Sequence, residues 1–192
     1  MLLRHRAPGI DPRTSQTVKG FEHLKDEWIA VLRWLAANRV EYVLTGPVAE
    51  AIRGRADVDG AVAIVPAPYG RNLERLARAL WSAHARVRID GEADTTPVRV
   101  SVEKLARGNR WTLRCGVHDL DIEGRPAGVP RYQELLYEAS RYELEPGLSV
   151  EAASPEDLEH FDHVRRTGFA PEIRVTRSST VTKASESDVE MR

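Results

Sequence analysis

The stretch from residue 40 to residue 66, VEYVLTGPVAEAIRGRADVDGAVAIVP, does most to restrict what this chain can become. It opens on a short β-rich run, Val40-Glu41-Tyr42-Val43-Leu44, and breaks at Thr45-Gly46-Pro47. Glycine and proline both punctuate a strand there, one by backbone freedom and the other by its missing amide. A short helix is predicted over residues 48–53, closed by Gly54. A polar turn over 55–60 then leads to a second apolar run, Ala61-Val62-Ala63-Ile64-Val65, which ends at Pro66. Strand, helix and strand in quick succession point to a mixed α/β domain.

The flanking sequence extends that pattern. Phe21, Leu24, Trp28, Val31, Leu32 and Leu35 recur at three- and four-residue steps and predict one apolar helix face, with Asn38 as a stop. Residues 72–84 predict an amphipathic helix through Leu73, Leu76, Ala77 and Leu80. Val87 and Ile89 mark a short strand before an acidic loop over 90–96. A brief helix is expected over 100–106, with Ser101 near its start. Residues 110–115 and 119–123 predict a hairpin turning at Gly116. A helix over 132–140 and a last strand over 148–152 follow. Ser154-Pro155-Glu156-Asp157 then supplies a capping serine, a first-turn proline and two first-turn acids for a helix reaching about Arg166.

The expected fold is therefore α/β (α+β), with a small mixed central sheet flanked by helices. Its organisation reads as a loose arm over 1–18, one domain over 19–170 and a tail over 171–192. The tail is rich in Ser, Thr and charge, and is expected to be disordered. A length of 192 residues suits one such domain. With 28 basic against 29 acidic residues the net charge is −1, which gives no strong nucleic-acid signal. Arginine outnumbers lysine, read as coding bias. The single cysteine, Cys115, excludes an internal disulfide and a cysteine-cluster zinc site. No apolar run approaches the roughly 20 residues that span a bilayer. The amino-terminal apolar stretch is too short for a signal-peptide core, so a cytoplasmic, non-membrane protein is expected.

The block over 40–66, the helix over 72–81, WTLRCGVHDLDIEG, RYQELLYEA and VEAASPEDLEHF together cover roughly residues 25–168. In order and spacing they resemble AbiEii-like, minimal nucleotidyltransferases, which implies a nucleotidyltransferase (polymerase-beta-like) fold. In that family a strand ends in a glycine turn, and a second strand carries Asp-x-Asp. Alternate strand residues share a face, so the two aspartates can share a pair of magnesium ions. The ions offset charge built up during nucleotidyl transfer. The glycine turn admits backbone amides to the triphosphate, and a third carboxylate completes the cage.

Laid on that pattern, the Asp-x-Asp pair falls on Ala61 and Ala63, and the second turn position is Pro47. Thr45 and Gly46 remain as candidate nucleotide-binding residues. Asp121 fits the third carboxylate, catalytic and metal-binding by resemblance, with Asp119 on the same face as a weaker ligand. Asp57 and Asp59 repeat the Asp-x-Asp spacing upstream as possible substitutes, or are simply turn residues. Asp162 stands where relatives often carry a lysine.

Other chemistry reads more plainly. His118, His160 and His163 invite a metal, but surface histidines are the default account. Trp28, with Trp81 as a second candidate, is expected in the core. Cys115 reads as a small buried apolar residue. The Arg71, Arg75 and Arg78 stripe, interrupted by Glu74, reads as a solvated face, with phosphate or RNA contact as the rival. The function implied is a nucleotidyltransferase-like pseudoenzyme with a nucleotide-binding, regulatory or partner-binding role. One alternative is an active, Mg²⁺-dependent transferase of toxin–antitoxin type acting on protein, RNA or a small molecule. The other is a pure interaction scaffold. A nucleoside triphosphate and a protein are the candidate partners, and Mg²⁺ is implied only if activity survives.

Overall fold

A computed structural model of the chain describes residues 8–11, 18–88, 97–125 and 130–167. Helix α1 (Asp26–Ala37) packs Trp28, Ile29, Val31, Leu32, Trp34 and Leu35 inward. It begins later than the apolar periodicity from Phe21 predicts. Lys25 is extended at the N-cap, and Asp26 and Glu27 occupy the first turn, where the helix end favours negative charge. Phe21 and Leu24 still join the apolar packing from the preceding turns. The helix stops at Asn38 as expected, with Arg39 in the left-handed region at φ 55°.

Strand β1 (Tyr42–Thr45) runs directly into α2 (Gly46–Ile52), and β2 (Val62–Pro66) returns antiparallel to β1. Helix α3 (Gly70–Ser82) leads to the two-residue β3 (Arg86–Val87), then α4 (Val102–Ala106), where Ser101 Oγ accepts from the Lys104 amide as an N-cap. The hairpin β4 (Trp111–Cys115) and β5 (His118–Ile122) forms as predicted. After α5 (Tyr132–Glu138) comes β6 (Ser140–Glu145), an element the sequence reading lacked, then β7 (Leu148–Ala152) and α6 (Pro155–Thr167). Ser154 caps α6, its Oγ 3.1 Å from the Asp157 amide.

Among the described residues the seven strands form one mixed sheet in the order β3-β4-β5-β2-β1-β7-β6. β1 pairs parallel with β7, and β2 pairs parallel with β5. Side-chain clips hold this order. The Asn72 amide accepts from the Glu41 N–H at 2.8 Å and donates to the carbonyls of Glu41 and Ala67 at 2.8 and 3.0 Å. Arg53, at the end of α2, donates to the carbonyls of Ala153 and Ala152 just past and within β7. Arg33 of α1 meets Glu145 of β6 with two bonds of 2.7 and 2.8 Å.

Two tryptophans depart from expectation. Trp34 is buried, whereas Trp81 is 62% exposed, with the Arg99 guanidinium over its ring. Trp81 lies on the outer side of α3, so the apolar stripe of Leu73, Leu76 and Leu80 excludes it. Of the amino-terminal arm, Ile10 packs on the core and the Pro8 carbonyl accepts from Asn38. Ile89, the acidic loop over 90–96 and the tail over 171–192 lie outside the described residues. No helix among the described residues is long and apolar enough to cross a membrane.

Candidate functional site

Strand β5 alternates strictly. Leu120 and Ile122 are buried on one face, and Asp119, Asp121 and then Glu123 project from the other. The sheet order places β2 on one side of these acids and β4 on the other. Ala63 is the register partner of Asp121 on β2, so Ala61 and Ala63 share the acidic face. On β4, Arg114 lies opposite Asp119 and Thr112 opposite Asp121. Thr112 also fixes Arg88, donating from Oγ1 to the Arg88 carbonyl at 2.9 Å while its own carbonyl accepts the Arg88 N–H at 2.8 Å.

Four guanidiniums converge on the three acids. Arg114 is bidentate on Asp119 at 2.9 and 3.2 Å. Arg88 bridges Asp119 at 3.3 Å and Asp121 at 3.0 Å. Arg165 of α6 binds Glu123 at 3.1 Å. Arg110 stands farther off, 3.7 Å from Asp121 and 3.8 Å from Glu123. Burial pushes the carboxyls of Asp121 and Glu123 above the ordinary carboxylate range, with the nearby arginines opposing it.

The glycine turn sits against this face. Gly46 has φ +62°, and a Cβ there would stand 2.9 Å from the Ala63 Cβ and 3.4 Å from an Arg165 Nη. Glycine is required by conformation and by close packing alike. Thr45 is fully buried, and its Oγ1 makes no hydrogen bond among the described residues. Pro47 packs against Gly60, whose Cβ would come within 3.0 Å of the proline ring.

These residues do not fit a two-magnesium cage. Such a cage needs several carboxylate oxygens free to turn toward one cation. Here both positions of the pair, Ala61 just before β2 and Ala63 within it, are alanine, and the oxygens of Asp119 and Asp121 point to guanidiniums. Among the described residues no group of three or more His, Cys, Asp or Glu side chains is placed to hold a metal ion. Asp57 takes a left-handed turn conformation at φ 56°, and Asp59 binds Lys25 and the Gly60 amide, each at 2.7 Å. Asp59 lines a cavity of about 510 Å³ together with Ala61, His118 and Asp119, with its Oδ1 taken by Lys25 and the Gly60 amide.

The remaining candidates fall as follows. His160 and His163 lie on α6 and His118 opens β5. Asp162 pairs with Arg166 at 2.9 Å. Arg75 of the α3 stripe donates to the Arg39 carbonyl. Burial pushes the Cys115 thiol up to about 12, which leaves it protonated and unreactive.

Glu123 and the four arginines did not emerge from the sequence. Part of their pattern was present in it: Arg110 and Arg114, either side of Thr112, stand across a hairpin from the alternating acids Asp119, Asp121 and Glu123. Arg88 and Arg165 come from distant segments and leave no local signal. The sequence matches no family model and has no significant match among curated proteins.

Proposed function

We propose that this chain is a nucleotidyltransferase-like protein in which two-metal catalysis has been lost, and that it acts as a nucleotide-binding, regulatory protein. One observation carries the reading. Asp119 and Asp121 of β5 and Glu123 just past it are paired with arginine, and their neighbours Ala61 and Ala63, before and within β2, are alanines, Ala63 packed beneath Gly46. In a two-metal enzyme that volume holds cations coordinated by carboxylate. Arginine supplies fixed positive charge without a metal and binds phosphate well. The glycine turn beside it is consistent with a ligand whose phosphates once lay there. The order of the segments from residue 25 to 168 supports the polymerase-beta-like fold on resemblance alone.

Calorimetric titration of ATP, GTP, CTP and UTP, with Mg²⁺ and again with EDTA, tests this. Binding of at least one nucleotide with the same affinity in EDTA is expected. Binding that needs magnesium, accompanied by pyrophosphate release, would restore the active-enzyme reading. Binding of none would leave a scaffold that meets a protein partner.

A further inference from the structure

We propose that the cleft between α6, the segment over 107–110 and the end of β5 is a metal-independent site for a small organic phosphate. The cleft encloses about 490 Å³, within the range of small-molecule sites. Four arginines line it, Arg107, Arg110, Arg125 and Arg165, against a single acid, Glu123. The chain as a whole is nearly neutral, so this excess of positive charge is local. A concave surface of one sign concentrates counter-ions of the other.

The four guanidiniums keep donors to spare, though Arg165 and Arg125 are partly engaged. Arg107 makes no salt bridge or side-chain hydrogen bond among the described residues, and feels only a longer-range attraction to Glu103. Arg110 stays beyond hydrogen-bonding distance of both its acids and is exposed. Arg165 gives one nitrogen to Glu123, while its Nε is buried without a partner. Arg125 donates to the Ala106 carbonyl at 2.8 Å, which orients its fork.

Two glycines build the cleft. At Gly108 a Cβ would come within 2.7 Å of the Arg125 Nε, so only glycine lets that side chain lie across it. At Gly124 a Cβ would stand 3.1 Å from the Arg110 backbone nitrogen, so the strand ends approach closely only without one. Several forked donors around one volume match a phosphate group, with its three acceptor oxygens and about two negative charges. Phe161 and Val164 add an apolar wall for the organic part of the ligand. The cleft is of small-molecule size, which favours a metabolite over a nucleic-acid strand. The site borders Gly46 through Arg165 but does not require the chain to be nucleotidyltransferase-like.

Titration calorimetry of the full chain with pyrophosphate, in EDTA at constant ionic strength, gives the test. Saturable binding of one equivalent is expected. Arg107→Ala should weaken it several-fold, and Arg107→Ala with Arg110→Ala by about tenfold or more. Arg71→Ala with Arg78→Ala on the α3 stripe should leave it unchanged. Amide shifts at Asn109 and Gly124 in the wild-type chain provide a readout independent of whether the double variant folds. Absence of saturable binding, shifts confined elsewhere, or equal weakening by the α3 pair would overturn the site. Nucleotide binding that survives those results would leave the proposed function standing, and pyrophosphate binding without any nucleotide binding would do the reverse.

Discussion

Asn72 buries a single amide that serves three backbone groups at the ends of β1 and β2. Removing it leaves the Glu41 N–H and the Ala67 carbonyl without that partner in an apolar setting, so Asn72→Leu is expected to cost about 2–4 kcal/mol in urea unfolding. A loss near zero would mean that water replaces the amide. Asp121 and Glu123 carry a different consequence. Burial raises both above their ordinary values, desolvation outweighing the arginines. An acid with a raised folded pKa holds its proton longer when folded, so stability is lost as pH rises from the unfolded value through the folded one. In Glu123→Gln that part of the dependence should vanish, flattening the fall in unfolding free energy across the pH window above the ordinary carboxylate value. A wild-type stability that instead rises across the window, and does so more steeply than the variant, would show that the Arg165 attraction outweighs burial.

At the scale of elements, helix ends show how local chemistry is satisfied. α3 closes with His84 in the left-handed region at φ 51°, the His84 amide bonding to the Trp81 carbonyl and the Ala85 amide to the Leu80 carbonyl. That pair of bonds is the one glycine normally permits. His84→Gly is therefore expected to raise stability by about 0.5–1 kcal/mol, read as a higher melting temperature; a lower one would mean that His84 makes a compensating contact. Elements with strong local signals were legible in the sequence. The Ser154-Pro155 start of α6, the turn at Gly116 and the strand after Gly147 lie where local rules put them. β6 was not read, because Tyr142 and Leu144 alternate over too few residues to stand apart from the end of α5. Trp34 was missed as core because its burial depends on the partners α1 meets across the fold.

The whole molecule decides the site, and there sequence reasoning reached only half of it. Asp119 and Asp121 were singled out, but what they face depends on β5 lying between β2 and β4. That order joins segments far apart in the chain: Ala63 meets Asp121, while Arg88 reaches Asp121 across 33 residues and Arg165 reaches Glu123 across 42. Strand pairing of this kind is set by packing over the full chain and has no local signature. Its result is a carboxylate face closed by guanidiniums, in a chain whose charges otherwise balance. The most direct test of that arrangement is a titration of Mn²⁺ into the protein, followed by the electron paramagnetic resonance signal of the free ion. The free-ion signal is expected to match that of buffer alone at every concentration, because the β5 acids are held by arginine. Uptake of one or more ions per chain, abolished by Asp121→Asn, would contradict this and return a metal to the centre of the site.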